Sequence, residues 1–222
     1  MSFAAGRTDV PLLEETIGAN FARTAARFPD RDALVVRHQG IRWTYADLDA
    51  RIDELARGLM AAGLQVGDRV GLWAPNRYEW VLAQFATARI GAIMVCLNPA
   101  YRTTELQFAV RQSGCRMLLA APSFKTSDYR TMWLEVAEEC PGVQHAIFFD
   151  TPEWTELLAE SAGVSTSAVA ARAATLDHRD PINIQYTSGT TGLPKGATLT
   201  HRNILNNGYF VGEACGFTEY DR

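Results

Sequence analysis

The run Tyr186-Thr-Ser-Gly-Thr-Thr-Gly-Leu-Pro-Lys-Gly196 sets three glycines, four aliphatic hydroxyls and one lysine within eleven residues, directly after the apolar segment Ile182-Asn-Ile-Gln-Tyr186. Gly189, Gly192 and Gly196 carry no Cβ, so the backbone there can take positive φ and bring its N–H groups close to an anion. Successive N–H groups in such a turn form an anion-binding concavity. Thr187, Ser188, Thr190 and Thr191 add neutral donors that rotate to suit a ligand, and Lys195 adds a flexible point charge able to follow a phosphate. This composition predicts a polyphosphate cradle and a nucleoside triphosphate as its ligand. The expected binding set is Thr187, Ser188, Gly189, Thr190, Thr191, Gly192, Lys195 and Gly196, with Lys195 also stabilising charge in the reaction.

The pattern departs from the common phosphate loop G-x-x-x-x-G-K-[ST], in which the last hydroxyl holds magnesium and the loop opens a helix. Here Gly196 follows the lysine, Pro194 precedes it, and Ala197-Thr-Leu-Thr200 reads as a short strand. A kinase or GTPase is therefore not the expectation.

The same eleven residues, continued by Thr200-His-Arg-Asn203, resemble the signature of the acyl-adenylate-forming superfamily, which includes acyl-CoA synthetases, nonribosomal peptide synthetase adenylation domains and firefly luciferase. Asn98-Pro-Ala-Tyr-Arg-Thr-Thr-Glu-Leu106 and Arg111-Gln-Ser-Gly-Cys115 are similar to the fatty-acid CoA ligase branch, and the likeness runs from about Thr16 onward. The resemblance implies ATP, Mg2+ and coenzyme A as cofactors or co-substrates and a small carboxylic acid, a fatty acid in this branch, as substrate. It also implies a chemistry of two steps, acyl-adenylate formation followed by transfer to a thiol. Members are more than twice as long as these 222 residues, so the chain is expected to be the front part of such a ligase and inactive alone. The expected Mg2+ and coenzyme A sites then lie mostly outside it. Two other readings stay open: an adenylating enzyme serving an aryl or amino acid or a carrier protein, and a non-catalytic nucleotide-binding protein.

Composition narrows the partners. Twenty-one basic against 25 acidic side chains give a net charge of −4, without a basic block, which argues against nucleic acid. Cys96, Cys115, Cys140 and Cys215 are widely spaced and show no C-x-x-C, so neither a zinc site nor a disulfide framework is expected. Met1-Ser-Phe-Ala-Ala-Gly-Arg7 lacks the form of a signal peptide, and Ile90–Leu97 is too short to cross a bilayer; the cytoplasm is the expected compartment. Nothing in the sequence indicates an oligomeric state.

Apolar strand-like runs alternate with helical periods, predicting an α/β fold of βαβ units: a mostly parallel sheet flanked by helices. Residues 1–150 are expected to form a first sheet-building part, 151–180 a surface connector with at most a short helix, and 181–222 the start of a phosphate-binding part. Ala33–Arg37 and Ile41–Trp43 predict a hairpin, Thr44–Asp47 a capping box, and Leu48, Ile52, Leu55 and Leu59 one helix face ending near Gly63. Strands follow at Arg69–Ala74, Ile93–Leu97, Met117–Ala120 and Ala146–Phe149. Helices are expected from an Asn76 cap to Ile90, from Thr103 to Gly114, and from Tyr129 to Pro141. Trp80, Phe85, Met132 and Trp133 read as core rather than as an acyl pocket, because an amphipathic helix must bury its apolar face. Asn98-Pro99 follows a strand end, where open sheets bind ligands, but is expected simply to turn the chain into the next helix. His201, with no placed partner, is expected to begin a helix and help satisfy its exposed backbone groups. No nucleophilic Ser or Cys is indicated.

Overall fold

The structure is a computed structural model that describes residues 9–187 and 194–221. Eight α-helices and ten strands are described: α1 (Ile17–Arg27), β1 (Asp32–Val36), β2 (Ile41–Thr44), α2 (Tyr45–Ala61), β3 (Arg69–Trp73), α3 (Tyr78–Ile90), β4 (Ile93–Leu97), α4 (Thr103–Ser113), β5 (Cys115–Ala120), β6 (Ser123–Phe124), β7 (Ser127–Asp128), α5 (Tyr129–Leu134), β8 (His145–Phe148), α6 (Pro152–Ala159), α7 (Thr166–Ala173), β9 (Pro181–Thr187), β10 (Lys195–Thr200) and α8 (His201–Cys215).

The main sheet has the order β10-β9-β4-β3-β5-β8. Its pairings from β9 through β8 are all parallel, and β10 closes one edge antiparallel to β9. The sheet is thus mixed and mostly parallel, with flanking helices, as the alternation of strand and helix signals requires. Parallel strands covered on both faces read as continuous apolar runs. Val70, Leu72, Trp73, Met94, Val95, Met117, Leu118 and Leu119 are accordingly almost wholly buried. Because β9 pairs with β4, the strand leading into the glycine-rich run belongs to the same sheet as the first part of the chain.

Local signals built most elements where they were expected. Thr44 and Asp47 form a reciprocal capping box on α2, whose Leu48, Ile52, Leu55 and Leu59 are buried. Gly114 ends α4 at φ 63, and the Arg69 guanidinium donates there to the Ser113 carbonyl at 2.9 Å and the Gly114 carbonyl at 2.7 Å. A cation is well placed against the negative end of a helix, and these bonds satisfy carbonyls the helix cannot.

Four features differ from expectation. Helix α3 is capped at Arg77 rather than Asn76: the Tyr78 N–H finds its acceptor in Gln39 Oε1 of the hairpin turn, at 2.8 Å, so no local side chain is needed. Helix α5 stops at Leu134, and a 3-10 turn at Ala137–Glu139 carries the chain toward Pro141. Residues 151–180 hold two helices rather than one at most, with Trp154, Leu157 and Val169 buried against α2 and its neighbours. Helix α1, with Thr16 accepting the Ala19 N–H as its cap, was not expected at all.

Candidate functional site

Strand β9 enters the glycine-rich run and β10 leaves it, with Thr187 opposite Lys195 and Tyr186 opposite Gly196 in antiparallel register. Ser188, Gly189, Thr190, Thr191 and Gly192 lie outside the described residues; Thr187, Lys195 and Gly196 flank them on the hairpin. Thr187 and Lys195 are exposed, and the Thr187 hydroxyl donates to the Lys195 carbonyl at 3.4 Å. At Gly196 an added Cβ would stand 3.0 Å from Ile184 Cγ2 and 3.5 Å from the Tyr186 ring. The missing side chain therefore lets the ring lie across β10, the usual way an aromatic covers a strand glycine.

The mouth of this hairpin is at the carboxyl ends of the parallel strands, the side on which open α/β sheets bind ligands. Beside β9, strand β4 runs out into Asn98–Arg102. Asn98 Oδ1 accepts the Ala100 N–H at 2.9 Å and its carbonyl accepts the Tyr101 N–H at 3.0 Å, so Asn98-Pro99 does make the turn into α4. Two buried aromatics hold that turn from below. Trp73 and Tyr129 stack with centroids 3.5 Å apart and planes 4° apart. Trp73 Nε1 donates to the Asn98 carbonyl at 3.2 Å, and the Tyr129 hydroxyl donates to the Pro99 carbonyl at 2.5 Å. Burial raises the Tyr129 phenol pKa, which keeps it a donor.

On the flank of β9, the Tyr186 hydroxyl donates to the Ala109 carbonyl of α4 at 3.0 Å, and burial pushes its pKa up to about 12. One strand away, Cys96 is pushed up to about 11 by burial and donates to Asn183 Oδ1 at 3.5 Å, while Asn183 Nδ2 reaches Gln84 Oε1 at 3.1 Å. The protonated thiol is the less nucleophilic form. Among the described residues no group of three or more His, Cys, Asp or Glu gathers that could hold a metal ion.

His201 lies at the opposite end of β10. Thr200, not His201, caps α8, in a reciprocal box with Asn203. The His201 ring is fully buried and accepts the Ile17 N–H at Nδ1, 3.2 Å away, so it serves the first turn of α1. It satisfies a backbone donor, as expected, but one on a distant helix. No periodicity within α8 could have revealed that partner. Trp80 and Phe85 pack against the core, and Met132 and Trp133 are buried within it, which agrees with a packing role.

A mixed, mostly parallel sheet flanked by helices, with the glycine- and hydroxyl-rich run between its β9 and β10 strands, defines an α/β protein. The family described as AMP-binding enzyme matches residues 21–222, and the chain belongs to it. Among curated proteins it is 40% identical over 233 residues to the medium-chain acyl-CoA ligase ACSF2, mitochondrial, of Mus musculus, covering 96% of this chain and 38% of that protein. It is 37% identical over 232 residues to the putative acyl-CoA synthetase YngI of Bacillus subtilis, covering 95% and 42%. The chain thus spans well under half the length of these relatives. Among solved structures, the N-terminal domain of FACL13 from Mycobacterium tuberculosis aligns with TM-score 0.72 and 27% identity over 84% of this chain and 44% of that one. A long-chain-fatty-acid-CoA ligase (FadD1) from Archaeoglobus fulgidus aligns with TM-score 0.83 and 21% identity over 99% and 43%, a likeness of fold.

Proposed function

We propose that this chain is the ATP-handling part of an AMP-forming acid–thiol ligase that activates a carboxylic acid and passes it to coenzyme A. The observation that carries the reading is the hairpin itself: Thr187 and Lys195 sit exposed and opposite one another at the carboxyl edge of the sheet, on either side of the glycine-rich run. The acyl-CoA ligase relatives support the thiol acceptor and the acid substrate. In the first step a carboxylate oxygen bonds to the α-phosphorus of ATP as the bond to the departing pyrophosphate breaks. In the second, the thiol sulfur of coenzyme A bonds to the acyl carbon and AMP leaves with the electron pair.

The part of this chain lies in the first step. Backbone N–H groups of the run, its hydroxyls and the Lys195 ammonium would surround the β- and γ-phosphates and stabilise charge developing on pyrophosphate, a preorganised electrostatic contribution. Reactions of this type use Mg2+; among the described residues no group of three or more His, Cys, Asp or Glu gathers that could hold it. The substrate class we assign is a fatty acid, placing the protein in fatty-acid metabolism.

No described helix is long and apolar enough to cross a membrane. We keep the cytoplasm as the expected compartment, although several relatives carry the word mitochondrial in their names. Localisation of a tagged chain to mitochondria would displace that reading.

Pyrophosphate exchange into ATP, measured with the product of the complete reading frame and a panel of medium-chain, long-chain, aryl and amino acids, tests the function. Exchange dependent on a fatty acid supports it. Exchange dependent only on aryl or amino acids would move the protein to another branch, and no exchange with any acid would favour a non-catalytic nucleotide binder.

A further inference from the structure

The β9–β10 hairpin stands at one edge of the main sheet. Strand β9 meets β4 through three register pairs, whereas β3 and β4 share five, and β10 is an edge strand with β9 as its partner. At its base, where the His201 N–H donates to the Asp180 carbonyl at 3.3 Å and the Arg202 N–H to the His178 carbonyl at 2.8 Å, it also meets the segment Leu13–Ile17. The Ile17 side chain lies in a buried cluster with Ala88 and with Ile182 of β9, apart from the main core, and Ile204 and Leu205 of α8 pack against that cluster. The Ile17 N–H is bound by His201 Nδ1 where β10 passes into α8. One residue therefore engages the base of both strands. Four residues earlier, Asn206 clasps Leu13 twice, with Oδ1 accepting its N–H at 2.8 Å and Nδ2 donating to its carbonyl at 2.9 Å.

These bonds span 184 and 193 residues of chain; the Ile17 N–H is one that the first turn of a helix leaves without an intrahelical acceptor, and Leu13 lies outside any strand. His201 is fully buried and its Nε2 has no hydrogen-bond partner among the described residues, a cost set against the acceptor its Nδ1 offers Ile17. A leucine there would fill space without that cost, but would leave the Ile17 N–H unmet.

We propose that His201 and Asn206 are positioning residues that make Leu13–Ile17 a strap across the base of the β9–β10 hairpin, fixing β10 and through it the placement of Lys195 toward nucleotide. The mechanical part stands on the contacts above; the consequence for nucleotide rests on the function proposed for the hairpin.

The experiment is amide hydrogen exchange on the product of the complete reading frame and its variants, followed by titration with MgATP. His201→Leu removes the acceptor, Asn206→Ala removes the clasp, and His201→Asn restores an oxygen near the place of Nδ1. Exchange in β10 should rise at least tenfold in His201→Leu and Asn206→Ala, with β3 within twofold of the parent, and His201→Asn should return toward parental protection. MgATP should bind at least threefold more weakly to His201→Leu than to the parent or to His201→Asn. Unchanged exchange in β10 overturns the proposal, and so does an equal rise in β3, which would mean loss of global stability alone. If the parent itself binds no MgATP while the exchange pattern holds, the strap stands and the nucleotide reading of the hairpin fails.

Discussion

The Tyr186 hydroxyl donates to the Ala109 carbonyl at 3.0 Å, joining the strand that enters the glycine-rich run to a helix 77 residues earlier in the chain. The helix in question, α4, follows directly on the Asn98–Arg102 turn, so one phenol ties together two of the segments that carry the family likeness. In Tyr186→Phe the Ala109 carbonyl keeps the Ser113 hydroxyl as a donor at 2.6 Å, so no acceptor is left bare. The expected loss is that of one ordinary net hydrogen bond, about 0.5–1.5 kcal/mol. Urea unfolding measures it, and a midpoint equal to the parent's would show that the bond adds nothing.

Gly58 on α2 faces the backbone of α6. A Cβ there would lie 2.3 Å from the Leu157 carbonyl oxygen and 3.2 Å from its carbon, atoms that no rotamer change can move away. Gly58→Ala must push α6 off α2 and should destabilise by roughly 1–3 kcal/mol or more, as overpacking does. Gly208, within α8, has nothing within 4 Å of the same position. There the alanine relieves only backbone entropy, and Gly208→Ala should stabilise by about 0.5–1 kcal/mol. Equal effects of opposite expectation, read as thermal or urea midpoints, would contradict the packing of residues 151–180 on α2.

How much of this architecture could be read from the chain depended on whether the cause was local. The Thr44–Asp47 box, the apolar period Leu48, Ile52, Leu55, Leu59 and the glycine stop at Gly114 each act within one or two turns, and each element formed where its residues indicated. The α3 cap could not be read this way, because its acceptor, Gln39 Oε1, comes from a hairpin 39 residues away. Helix α1 carries local signals of its own, the Thr16 cap and the buried face Ile17, Phe21 and Ala25, and His201, 184 residues later, adds the acceptor for its first N–H. The 151–180 stretch looked like a connector because Ala, Ser and Thr dominate it. Its helices owe their place to a few buried large residues, Trp154, Leu157 and Val169, and to Gly58 on α2, which lets the Leu157 backbone come close. At the candidate site, residue types suggest phosphate chemistry, but nothing local announced that Trp73 and Tyr129 would stack beneath the Asn98-Pro99 turn.

His201 makes stability depend on pH in a defined direction. Burial, the largest cause, lowers its pKa from the usual 6.5 to about 4, against the pull of Asp180 and Asp177 and with a smaller push from His178. Protonation would also turn Nδ1 from acceptor to donor, facing the Ile17 N–H. Above about pH 6.5 the ring is neutral in folded and unfolded chains alike, and its contribution is fully present. As pH falls from 6.5 toward 4 the unfolded chain takes up a proton that the folded chain refuses, so stability falls. Carboxylates such as Glu15 lose their own contribution lower in the acid range, where its lowered pKa, caused chiefly by Arg23, is reached. The difference between parent and His201→Asn isolates the histidine. Urea midpoints at pH 7.5, 6 and 5 should fall more steeply for the parent; parallel slopes would remove His201 as the source.

Lys195 carries the sharpest consequence of the proposed function. It is exposed on an edge strand, opposite Thr187, so Lys195→Ala should leave the fold and its unfolding midpoint within about 0.5 kcal/mol of the parent. Removing one preorganised donor from a developing charge costs on the order of 10²–10³ in rate, roughly 2.7–4 kcal/mol of barrier. Thr191→Ala should cost less, because a neutral hydroxyl bonds phosphate more weakly than an ammonium does. Lys195→Arg should restore only part of the rate: the charge returns, but a planar fork on a longer side chain does not reproduce a compact point charge. Pyrophosphate exchange in the product of the complete reading frame, with circular dichroism as the control for folding, ranks the three. Exchange at the parental rate in Lys195→Ala would take the β9–β10 hairpin out of the chemistry and leave the resemblance of its sequence without a mechanism.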